Sequence, residues 1–160
     1  MEIQVILAVL IGLAATVEDL WHREISNWTT VFAVISGLAL HFYERGGYGI
    51  AAALLSSLAG FVVFLVFFLL GGMGGGDVKL MAGFGAVLGK SGLLIEAAIW
   101  TGIIGGLMAL AVLAWRALWK LSGQQSPAGN PGPEEVQKKA SIAYAPAITF
   151  GVWLALLANF

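Results

Sequence analysis

Apolar runs almost free of charge leave this chain few ways to fold. The run from Ile50 to Leu70 carries no Asp, Glu, Lys or Arg and ends in the glycine-rich segment GGMGGGDVKL, Gly71 to Leu80. Other such runs are Ile3–Val17, about Trp28–Phe42, Val78–Leu88, about Leu93–Trp115 and about Ile142–Asn159. Roughly 20 apolar residues make a membrane-spanning helix. The fourth run, Val78–Leu88, would be about 16 Å long as a helix. It can cross only if the glycine segment or Gly89–Leu94 extends it. The composition fits lipid: 59% of residues are hydrophobic and 11% charged, where soluble domains carry roughly 25% charged residues. The runs predict an all-α, polytopic membrane protein of about six transmembrane helices, with residues 1–160 as one transmembrane domain.

The remaining composition mostly excludes. There is no cysteine, hence no disulfide and no thiolate metal site. A net charge of −1 gives no case for nucleic acid. Met1-Glu2-Ile3-Gln4 lacks the basic start of a signal peptide, so the first run is read as a retained helix. Leu121–Lys139, LSGQQSPAGNPGPEEVQKK, holds three of the four prolines and reads as a polar cytoplasmic loop at about 121–139. No internal repeat suggests a duplicated transporter.

Orientation follows from the basic residues, which favour the cytoplasmic side. With the N-terminus outside, the cytoplasmic loops hold Arg23, Lys79, Arg116, Lys120, Lys138 and Lys139, and the outside keeps Arg45 and Lys90. Asp19 and Asp77 then both lie near the cytoplasmic surface. Trp21, Trp28, Trp115 and Trp119 fall at the same level, as an interfacial aromatic belt does.

Asp77 can be read as the cap of a helix starting at Val78. It can also be read as a working acid, because an aspartate at membrane depth costs about 2.5–3.5 kcal/mol on insertion scales and needs water, a partner or a purpose. Glycine-rich backbone at that depth needs protein or water around it. Without Cβ atoms, Gly74-Gly75-Gly76 can approach a peptide closely and take positive φ. Asp19 alone reads as a charge where helix meets water, as Glu18 and Glu24 do; its interest is as a partner for Asp77. Two neighbouring carboxylates share a proton. The charged one can take a proton from water while the neutral one donates to a scissile peptide. His22 and His41 lack ligand spacing and read as interfacial, so no metal or cofactor is expected.

Gly74-Gly75-Gly76-Asp77 matches the GxGD motif of intramembrane aspartyl proteases, and Val78-Lys79-Leu80 extends it. The whole resembles the GxGDxKL segment of bacterial type IV prepilin peptidases. Asp19-Leu-Trp-His-Arg-Glu-Ile-Ser-Asn27 resembles that family's first aspartate motif, and Ile142-Ala-Tyr-Ala-Pro-Ala147 its last-helix motif. The resemblance implies that Asp19 and Asp77 are the catalytic aspartates and that Gly74 and Gly76 shape the loop. Lys79, Arg23, Asn27, Tyr144 and Pro146 match supporting positions. For Lys79 and Arg23, positive-inside anchoring is the competing reading; for Pro146 it is a helix kink.

Ser26 and Ala143 stand where the family commonly has proline, which predicts a less rigid first loop. Many members also carry a paired-cysteine segment and methylate the new N-terminus. This chain has neither cysteine nor insert and resembles the short, peptidase-only form of tight-adherence pilus systems, so cleavage without methylation is expected. The implied substrate is a prepilin or pseudopilin, cut after a glycine where its basic leader meets an apolar helix. The implied location is the bacterial inner membrane. Glu18 and Glu24 are placed to attract such a leader.

Other readings stay open at this point. A presenilin-like or preflagellin-type peptidase shares GxGD and the acid pair. A small proton-coupled carrier also uses intramembrane acids, although here both acids sit at one face. A non-catalytic scaffold is suggested by Gly85xxxGly89 and Gly102xxxGly106, patterns that pack helices; packing inside this bundle is the expected use, and oligomeric state stays open.

Overall fold

The computed structural model describes residues 2–70, 73–121 and 144–159. Among these there are five helices and no strands: α1 (Glu2–His22), α2 (Asn27–Leu69), α3 (Gly75–Leu88), α4 (Ser91–Leu121) and α5 (Ala145–Ala158). The polar loop expected at about 121–139 lies almost wholly outside the described residues, as does Ala143. Three helices contain stretches long and apolar enough to cross a membrane: Glu2–His22, Asn27–Leu69 and Gly92–Trp115. The second and third apolar runs of the sequence are both parts of α2, which is broken at Gly46 (φ 61, ψ −144). Only glycine adopts that backbone readily. Gly49 sits directly against the His41 carbonyl, so the chain bends back on itself there and α2 has two arms.

Between those arms lies α3. It is buried along most of its length, from Asp77 and Val78 to Leu88. Gly37, on the first arm, meets the Ala86–Val87 backbone, and Gly60, on the second, meets the Met81 carbonyl. α5 packs on α1 and α4, with Gly12 against Thr149 and Gly151 against Thr101.

Small residues therefore stand where helices approach closely, beside larger buried side chains such as Leu80, Met81 and Phe84, while Ile6, Leu10, Leu13, Leu55, Leu107 and Leu110 face outward. That is the pattern expected where lipid surrounds a bundle and close packing holds it together.

The sequence expectations need several corrections. α3 begins at Gly75, not Val78, so the glycine segment contributes its first turn. His41 is buried, not interfacial: it is 4% exposed, with Nε2 3.0 Å from the Val87 carbonyl oxygen. Gly85 does pack inside the bundle, and Gly89 closes α3 in a left-handed cap (φ 59). Gly102 and Gly106 do not: nothing lies within 4 Å of where their Cβ atoms would be.

Candidate active site

α1 ends and α3 begins at the same end of the bundle, and a cavity of about 760 Å³ opens there. α1 contributes Glu18, Asp19 and His22, and the following loop Arg23 and Glu24. Asn27 starts α2, and Gly74, Gly76, Asp77 and Lys79 complete the wall. Seven of the residues singled out in the sequence thus meet in one space: Asp19, Arg23, Asn27, Gly74, Gly76, Asp77 and Lys79. Tyr144 and Pro146 do not line it.

Both aspartates are deeply set, Asp19 at 7% and Asp77 at 6% exposure. Asp77 is the third residue of α3, and its Oδ2 accepts the Gly74 N–H at 3.1 Å. It therefore reaches back to the helix start, as the acid of a capping box does, although it is not the cap residue. Asp77 precedes the apolar run Val78–Leu88. Asp19 sits in the last turn of α1, and its Oδ2 accepts the Ala145 N–H at 3.0 Å. That N–H belongs to the first turn of α5, where helical donors lack internal partners. Asp19 thus ties α1 to α5 across 126 positions of sequence.

The glycines act differently from the expectation. None of Gly74, Gly75 and Gly76 has positive φ, and Gly75 and Gly76 are helical. Their use is steric. A Cβ on Gly76 would lie 3.3 Å from the Ile25 Cβ, and one on Gly74 would lie 3.4 Å from Asp77 Oδ2. Absent side chains let the first loop lie on the start of α3.

That loop is tied at several points. Arg23 takes a left-handed conformation (φ 53), and its N–H closes α1 on the Asp19 carbonyl at 3.0 Å. Ser26 donates its N–H to Glu18 Oε2 at 2.9 Å and accepts the Trp28 N–H on Oγ at 3.2 Å. A proline at position 26 would have no N–H to give, so the serine supplies contacts that the commoner residue cannot. Lys79 Nζ donates to Asn27 Oδ1 at 3.0 Å, joining two predicted supporting residues across α2 and α3. Pro146 stands in the first turn of α5, where a missing N–H costs nothing; it is not a mid-helix kink.

Glu18 has a part that its sequence position did not reveal. Besides Ser26, it accepts the Thr29 hydroxyl on Oε1 at 2.7 Å. The only sequence hint is its spacing from Ser26 and Thr29, and that spacing needs a reversal between α1 and α2 to matter. Glu18→Ala removes two bonds to a charged acceptor, and we expect a stability loss of roughly 1–3 kcal/mol. Thermal unfolding in detergent checks this; an unchanged midpoint would mean that the bonds do not hold the loop.

A family model described as the type IV leader peptidase family matches residues 6–110. Preflagellin peptidases of two methanogens are among similar curated proteins. That of Methanocaldococcus jannaschii is 39% identical over 87 residues, covering 52% of this chain and 37% of the relative. That of Methanococcus voltae is 34% identical over 85 residues, covering 49% and 36%. The chain thus spans well under half the length of the curated relatives it matches. No solved structure matches it significantly. The family match takes in both aspartates and the glycine segment, and over residues 6–110 of 160 it shows that the chain belongs to the type IV leader peptidase family.

Proposed function

We propose that the chain is a membrane-embedded aspartic endopeptidase that removes basic leader peptides from prepilin-like precursors, with Asp19 and Asp77 as the acid–base pair. The observation that carries this reading is the meeting of two buried carboxylates from different helices at one polar cavity. In the resting pair one carboxyl holds a proton and the other is charged. The charged one takes a proton from water, whose oxygen attacks the scissile carbonyl carbon. The neutral one protonates the carbonyl oxygen, and as the C–N bond breaks the first carboxyl passes the proton it took from water to the leaving nitrogen while the second takes back a proton from a gem-diol hydroxyl. Gly74 and Gly76 keep the wall low beside Asp77. The Lys79–Asn27 bond and the Arg23 turn position the two acids.

Charge supports the leader class. Four carboxyl groups line the cavity (Glu18, Asp19, Glu24, Asp77), one of them neutral when the pair shares a proton, against two permanent cations, Arg23 and Lys79. We assign the cavity to the cytoplasmic face of the inner membrane, with the N-terminus outside and six membrane crossings. On this reading cleavage proceeds without methylation. The names of the relatives favour a second reading, a preflagellin-type substrate. The acid pair and its chemistry are the same on either reading.

The apolar part of the substrate has a neighbouring seat. A cleft of about 220 Å³ lies between the second arm of α2, with Phe64 and Phe67, and α4, with Gly102 and Gly106. Met73 and Tyr144 also line it. Met73 directly precedes Gly74, and Tyr144 directly precedes Ala145, the donor to Asp19. Gly102→Leu fills this cleft. We expect it to slow cleavage of a membrane-anchored precursor at least tenfold while sparing a short soluble peptide across the same junction. Equal slowing of both substrates would refute the seat.

The function itself is tested with purified protein in liposomes and prepilin-like and preflagellin-like precursors, read by product mass. Cleavage at the leader junction is expected. No cleavage of any such precursor by the folded protein would overturn the proposal.

A further inference from the structure

The end of the bundle opposite the aspartates holds a second polar cavity, of about 640 Å³. The two basic residues that the charge bias leaves on the outer side, Arg45 and Lys90, both line it. They come from different elements: Arg45 stands at the bend of α2, and Lys90 between α3 and α4. Neither has an ion-pair partner among the described residues. The first turn of α4, Gly92 and Leu93, forms another part of the wall and contains no acidic residue. Its unpaired N–H groups and dipole favour an anion. Ser56 is 2% exposed and lines the cavity, and its buried hydroxyl has no hydrogen-bond partner among the described residues. An unmet buried donor is costly unless a ligand or water satisfies it.

The acids at this end are Glu2 in the first turn of α1, Glu96, whose Oε2 accepts from Asn159 Nδ2 at 2.6 Å, and Glu44, beside His41 at 3.6 Å. Glu96 alone of the three lines the cavity, so the wall carries two cations against one carboxylate.

We propose that this cavity binds a phosphate group, held by Arg45 and Lys90 with the start of α4 and the Ser56 hydroxyl beneath. An anionic phospholipid headgroup is the source that the setting favours. The cavity lies at the end of apolar helices, and the exposed ring of Tyr48 stands on its rim, where amphipathic aromatics mark the membrane interface. The inference is independent of the peptidase reading.

The test uses the full chain in neutral detergent, titrated with phosphatidylglycerol, phosphatidylcholine or inorganic phosphate and read by native mass spectrometry. Wild type should retain phosphatidylglycerol, and Arg45→Gln/Lys90→Gln should bind it roughly tenfold or more weakly, as expected when two basic contacts are lost. Arg45→Lys/Lys90→Arg should restore binding. Phosphatidylglycerol that inorganic phosphate does not displace identifies a lipid site. Inorganic phosphate that binds alone and displaces lipid identifies a site for the free anion. Unchanged phosphatidylglycerol binding in the double Gln variant, or equal retention of phosphatidylcholine, would overturn the proposal. Both basic side chains are exposed, so the variants should fold.

Discussion

Asp77→Asn and Asp19→Asn should each lower leader cleavage by roughly 10²–10⁴-fold, the range of a lost acid–base group, with the bundle intact. Both carboxylates also serve the fold, so the choice of substitution matters. Asparagine keeps an oxygen that can accept the Gly74 N–H in place of Asp77 Oδ2, or the Ala145 N–H in place of Asp19 Oδ2. If the aspartates only held helix ends, the Asn variants would unfold near the wild-type temperature and retain activity. If they form the proton-sharing pair, the same variants fold and fail to cut. Alanine cannot separate these cases, since it also removes the acceptor, at a cost of about 0.5–2 kcal/mol for a capping contact. Activity that survives in both folded Asn variants would end the dyad mechanism.

Much of this was legible in the sequence because lipid imposes a strict pattern. The apolar runs located the helical segments closely, and the GxGD segment with the first aspartate motif named residues that now share one cavity. What sequence misjudged was local backbone. A run of glycines suggested non-helical chain, yet Gly75 and Gly76 are helical, because their missing side chains serve packing against Phe68 and Ile25. Glu18 looked like a solvated charge, since its partners Ser26 and Thr29 approach only after the chain reverses. The pairing of Asp19 with the start of α5 was beyond reach for the same reason. Glycine spacing was also ambiguous. Gly85xxxGly89 and Gly102xxxGly106 have the same form, but one lies inside the bundle and the other on a cleft.

That ambiguity leads to the largest stability difference expected from matched substitutions. Gly85→Leu should destabilise the bundle by about 3 kcal/mol or more, at or beyond the upper end of the usual cost of overpacking. A Cβ at Gly85 would lie 2.5 Å from the Ser56 carbonyl oxygen and 2.8 Å from the Ser57 Cα. Both are backbone atoms, so no rotamer change relieves the clash. The second arm of α2 would have to move off α3, which the first arm holds from the other side through Gly37. Gly102→Leu introduces the same side chain into a helix of the same bundle where a Cβ meets nothing. Its effect should stay near zero or be slightly favourable, since glycine costs a helix about 1 kcal/mol relative to better formers. Thermal unfolding of both variants in one detergent compares them directly. Equal midpoints would mean that α3 is not clamped between the arms of α2. A lower midpoint for Gly85→Leu alone would support that clamp, which sets the depth of Asp77 at the mouth of the cavity.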